Sequence, residues 1–152
     1  MANLAHRRVV TGINEAGQSC VIIDDTIPQL NPAMGVAVAW RTEGAIADNS
    51  GTADTAVPYD IALLHAGGSN FVICQFAPGL EAYMHATDTI DYLIVLSGRV
   101  TLVLETGEVD LGPGDFAVDR GVVHGWRNDH AEVCVCAVVN LPADPVGKGR
   151  TI

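Results

Sequence analysis

Short apolar runs of Val, Ile, Leu and Thr alternate along this chain with turn residues, which is the pattern of an all-β protein. Arg8-Val9-Val10-Thr11-Gly12-Ile13 and Cys20-Val21-Ile22-Ile23 flank Asn14-Glu15-Ala16-Gly17-Gln18 and predict a hairpin. Residues 35–40 read as a third strand, and residues 42–55, rich in Ala, Gly, Asp, Asn and Thr, as a loop. Further strands are predicted over 70–76, 92–96, 99–105, 109–111, 116–118, 122–126 and 132–139. Pro78-Gly79, Ser97-Gly98 and Gly112-Pro113-Gly114-Asp115 supply turns between them. No helical period extends far enough for a long helix, although residues 60–66 allow one short turn. Closely spaced strands with glycine between them point to a sandwich or a closed barrel.

Composition narrows the class. A chain of 152 residues that is 49% hydrophobic and 17% charged has the means to bury one core. Its formal net charge is −10, with only eight Lys and Arg. That argues against nucleic acid and against an acidic membrane surface, both of which need clustered basic residues. No apolar run approaches the roughly 18 residues of a membrane span. Residues 1–8 lack the apolar stretch of a signal peptide, so a cytoplasmic location is expected. Cys20, Cys74, Cys134 and Cys136 each sit in an apolar run and read as reduced core thiols rather than a disulfide framework.

The chemistry-bearing residues lie in two segments. In residues 79–98, His85, Thr87 and Asp91 share one parity, so an extended chain turns them toward the same interior. In residues 114–128, His124 opens a strand with Trp126 at like parity.

Together these segments resemble the cupin family. Its first motif is Gly, five residues, His-x-His, three or four residues, Glu, six residues and Gly. Gly79, His85, Thr87, Asp91 and Gly98 follow that spacing. The second motif ends in Gly-x-x-His, three residues and Asn. Gly121, His124 and Asn128 fit it, in a copy one residue shorter that has Arg120 near the usual proline. The resemblance covers about residues 70 to 140.

It implies a single-domain cupin-like jelly-roll β-barrel over residues 36–142. Residues 1–35 would form an N-terminal hairpin extension able to pair in a homodimer, and residues 143–152 a tail. It also implies one divalent metal per chain (zinc, manganese or iron), held by His85, Asp91 and His124. Thr87 stands where the family has its second ligand histidine, and Asp91 is one methylene shorter than the usual Glu. Two His and one carboxylate still make a facial set with open positions.

The function expected from the resemblance is that of an enzyme acting on an organic acid, an aromatic or a polyketide-like compound inside the barrel. The reaction would be that of a lyase, decarboxylase or isomerase. Tyr83, His65 and His130 are the candidates to deliver a proton, with Tyr83 placed beside His85, Asp91 and His124 in the catalytic set. Thr87, Trp40, Phe71, Leu93 and Trp126 are expected to line the substrate pocket. Two alternatives stand beside it: an iron-dependent dioxygenase, and a non-catalytic ligand-binding or sensing domain with a degenerate metal site.

Overall fold

The computed structural model describes residues 6–16, 18–28 and 33–152. Ten strands and one 3-10 turn follow in chain order. Strands β1 (Arg7–Ile13) and β2 (Ser19–Thr26) form the expected hairpin. Then come β3 (Val36–Thr42), the 3-10 turn Ile61–His65 and β4 (Ser69–Phe76). The second half holds β5 (Thr89–Ser97), β6 (Val100–Leu104), β7 (Gly107–Leu111), β8 (Phe116–Asp119), β9 (His124–Arg127) and β10 (Cys134–Pro142).

Two antiparallel sheets make the barrel walls, ordered β3-β4-β10-β5-β8 and β7-β6-β9. Isolated bridges Leu80↔Asn128 and His85↔His124 continue the pairing beyond the named strands. Side-chain parity decides what faces inward. Val72 of β4, Leu93 and Val95 of β5, and Cys134, Cys136 and Val138 of β10 meet Val38, Val100 and Leu111 in one buried cluster. Burying each Val or Leu of this kind contributes about 1.5–3 kcal/mol relative to leaving it in water.

β10 reads as a nearly continuous apolar run because it is paired on both edges and covered on both faces. Its opposite parity joins a second cluster, in which Val135 packs with Ala37, Ile73 and Ile27. The hairpin lies on that outer side. Arg8, almost fully buried, pairs with Asp25 across the hairpin and joins the hairpin to the barrel through Asp54 and the Ala39 carbonyl, all at 2.8–2.9 Å.

The turn signals are geometrically required at two places. Gly98 has φ 71, and an added Cβ would stand 2.4 Å from the Val133 carbonyl oxygen. Gly121 has φ 72, and its Cβ would stand 2.3 Å from the Thr87 oxygen. Gly121 thereby brings the chain between β8 and β9 hard against the first motif. All four cysteines are free, with Cys134 and Cys136 buried and Cys20 and Cys74 half-buried. Among the described residues, no helix is long and apolar enough to cross a membrane.

Candidate functional site

Inside the barrel is a cavity of about 400 Å³, within the range of small-molecule sites. Tyr83, His85, Thr87, Asp91, Leu93, His124 and Trp126 all line it. The two histidines arrive on adjacent backbone segments: His85 and His124 exchange both main-chain hydrogen bonds, at 2.8 and 2.9 Å. Their ring centroids consequently sit 4.5 Å apart.

Each imidazole is oriented by the backbone carbonyl two residues before it. His85 Nδ1 donates to the Tyr83 carbonyl at 2.8 Å, and His124 Nδ1 to the Val122 carbonyl at 2.9 Å. Nδ1 therefore carries the hydrogen in both rings, and Nε2 is the atom left for chemistry. Tyr83 stacks on His85 with ring centroids 5.9 Å apart, and is itself 72% exposed.

Trp40 and Phe71, expected from the sequence to line the pocket, do not line it. Phe71 has the parity of the outer face, where it is 49% exposed, while its neighbour Val72 points inward. Trp40 shares parity with Val38, but β3 carries a bulge. Val38 pairs with Val72, whereas Trp40 pairs with Phe71, so the extra residue turns the indole to the outside.

Sequence reasoning passed over Asp119, Asn140 and Tyr59, which also line the cavity. Register explains the first two, because Asp91 of β5 faces Asn140 on one side and Asp119 on the other. Asp119 Oδ1 accepts from the Gly121 amide at 3.0 Å. Its Oδ2 stands 2.8 Å from His124 Nδ1 but off the line of that N–H, and so has no hydrogen bond of its own. The contact joins two buried side chains and is ionic when His124 is protonated. The only available signal was the alternation Asp115-Phe116-Ala117-Val118-Asp119, which puts Asp119 on the face of Ala117.

The electrostatics set the groups apart. Burial dominates at His85 and pulls its pKa down, against the Tyr83 carbonyl and the nearby carboxylates. Burial acts the same way at His124, but Asp119, the Val122 carbonyl and Asp91 together outweigh it and raise the pKa. Asp91 is pushed up by burial, against hydrogen bonds from Asn140 and Thr89. One of its oxygens, Oδ1, is buried without a hydrogen-bond partner. Thr87 spends its hydroxyl on Thr89 at 2.8 Å. His130 pairs with Asp110 at 3.2 Å, away from the cavity, and His65 accepts from the Asp88 amide at 3.3 Å.

Members of the family implied by the two motifs generally hold a divalent metal. The donor chemistry suits one in part: two Nε2 atoms and the unpartnered Asp91 Oδ1. As they stand, however, no three His, Cys, Asp or Glu side chains among the described residues gather closely enough to hold an ion.

Comparison with known proteins agrees with this architecture. The cupin domain model matches residues 72–140. Phomopsin biosynthesis cluster protein C' of Diaporthe leptostromiformis is 34% identical over 152 residues, covering 91% of this chain and 79% of the relative. A cupin-domain-containing oxidoreductase of Aspergillus ruber is 39% identical over 62 residues, 40% of this chain and 30% of that protein. The structure of TT1209 from Thermus thermophilus superposes with a TM-score of 0.52 at 21% identity, covering 77% of this chain and 91% of the other, a likeness of fold alone. Two motifs on facing segments, a jelly-roll of two sheets and a relative matched over 91% of this chain make it a member of the cupin family.

Proposed function

We propose that this protein is a cupin-type enzyme that moves protons on a small, largely apolar carbonyl compound or carboxylic acid, as a lyase, decarboxylase or isomerase. The carrying observation is the His85–His124 pair: two imidazoles 4.5 Å apart whose surroundings drive their pKa values in opposite directions. Such a split assigns the acid and base roles. His85, kept neutral, presents the Nε2 lone pair and takes a proton from the carbon beside the carbonyl. His124, whose pKa Asp119 helps to raise, is the partner that donates from Nε2, in its protonated form, to the oxygen on which negative charge develops. Asp91, with its raised pKa, returns a proton to carbon or to a leaving hydroxyl. The aliphatic and aromatic walls, with Leu93 and Trp126 among them, exclude water and take the substrate's apolar body.

A second reading places one divalent zinc, manganese or iron ion on His85, Asp91 and His124. It is supported by the two Nε2 atoms left open by the backbone-bonded Nδ1 atoms and by the unpartnered Asp91 Oδ1. When bound, the ion would supply a Lewis acid for a carboxylate or carbonyl oxygen, and iron would admit the oxygen chemistry that the oxidoreductase names of several relatives suggest. Pairing of two copies is supported by the apolar outer face of β4, β5 and β8, where Phe71, Tyr92, Leu96, Phe116 and Val118 are exposed.

The test is deuterium exchange from solvent into a panel of aryl ketones and β-keto acids, followed by NMR, on protein purified without chelator and assayed for metals. Wild type should catalyse exchange or decarboxylation of a panel member, and His85→Ala should slow it by roughly 10²–10⁴-fold. Undiminished exchange in His85→Ala would refute the base assignment. Near-stoichiometric metal that His124→Ala loses would move the assignment to the second reading.

A further inference from the structure

Five of the eight basic residues in this acidic chain have a carboxylate partner: Arg7, Arg8, Arg41, Arg99 and Arg127. Arg120, Lys148 and Arg150 have none among the described residues. Two of these three lie on one short segment, residues 143–152, which folds back over the cavity. That segment is tied down by its backbone. The Thr151 amide donates to the Ala86 carbonyl and the Ala86 amide donates to Thr151 Oγ1, both at 2.9 Å. The Arg150 amide donates to Asp88 Oδ1 at 2.8 Å, and the Ala143 amide to the Asp88 carbonyl at 3.0 Å.

These bonds set Ile152 into the cavity wall and Arg150 into a cleft next to it. A separate cleft, lined by Ile61, Ala62, His65, Arg150, Thr151 and Ile152, adjoins the cavity and shares Ile61 and Ile152 with it. Arg150 is exposed and lines this adjoining cleft rather than the chamber itself. Asp60 accepts the Ala62 amide and Asp88 the Arg150 amide on the neighbouring elements, and Asp144 lies on the tail itself, so Arg150 meets any ligand against three local carboxylates.

An unpaired cation next to an apolar chamber, on a molecule of net charge −10, selects one kind of ligand. We infer that the cleft beside the cavity is an anion subsite, in which Arg150, with His65, holds a carboxylate at one end of a substrate whose apolar body fills the chamber. This rests on the reading of the cavity as a substrate site and gives that substrate a class: an amphipathic acid with its charged end in the adjoining cleft. The net negative charge repels anions everywhere else, so a local cation also orients the ligand as it enters.

The probes are octanoate and octanamide, which share an apolar chain and differ in charge. Binding is followed by Trp126 fluorescence in a Trp40→Phe background, because Trp126 lines the cavity and Trp40 does not. Octanoate should bind more tightly than octanamide, and Arg150→Gln should remove that advantage, a change of roughly three- to tenfold. Octanamide affinity should stay unchanged. High salt should weaken octanoate alone. An equal preference for the two probes, an octanoate advantage that survives Arg150→Gln, or failure of both to bind would each overturn the subsite. His85→Ala tests the proton-transfer reading separately, since it removes turnover without altering the octanoate-to-octanamide ratio.

Discussion

Replacing Asp119 by Asn removes one charge while keeping nearly the same shape, and its consequence can be worked through in advance. The variant retains an oxygen to accept from the Gly121 amide, the bond seen at 3.0 Å. It loses the carboxylate that stands 2.8 Å from His124 Nδ1, with side chains only 3% and 5% exposed. Solvent does not screen a contact so deeply buried, and removing one member of a buried ion pair costs about 3–5 kcal/mol while the other is charged. The sign follows from linkage. His124 is raised in the folded protein above its ordinary 6.5, so its contribution is fully present below pH 6.5 and disappears as pH rises through the folded-state value. Urea unfolding of chelator-treated wild type and Asp119→Asn across a pH series should show the gap widest between the carboxylate range and pH 6.5. It should narrow on the alkaline side. NMR titration of the His124 ring should move to lower pH in the variant. A stability gap independent of pH, or an unmoved His124 titration, would refute the ionic role given to Asp119.

Asp91→Asn should stabilise the protein at neutral pH by about 1 kcal/mol while abolishing turnover, as urea unfolding and the exchange assay would show. Its sign is that of a carboxyl raised by burial: its stabilising contribution is complete below the ordinary 3.8 and is lost as pH rises through the folded value. The amide is free of that cost. Gly121→Ala should lower stability by about 2–4 kcal/mol, because its Cβ would meet the Thr87 and Thr89 oxygens at 2.3 and 2.9 Å from a backbone with φ 72. A thermal melt within a degree or two of wild type would show that this corner yields more easily than its geometry implies.

The sequence alone settled the strand content and the family. Period-two alternation and glycine at turns are local properties, and the spacing from Gly79 through His85 to Asp91 and Gly98, with Gly121, His124 and Asn128, needs no tertiary information. Parity also foretold that His85, Thr87 and Asp91 share a face. Parity failed where the pairing changed register: the bulge in β3 turned Trp40 outward to Phe71, and no composition signal marks a bulge. Residues 42–69 offered no period to read, yet Asp54 anchors Arg8 there, and Tyr59, Ile61 and Leu64 wall the cavity. Only the folded sheet could bring Asp119 and Asn140 to either side of Asp91, since cross-strand partners are set by register between segments distant in sequence. The opposed shifts of two chemically identical imidazoles have the same origin. Burial and neighbouring charge are properties of the assembled barrel, and they separate His85 from His124.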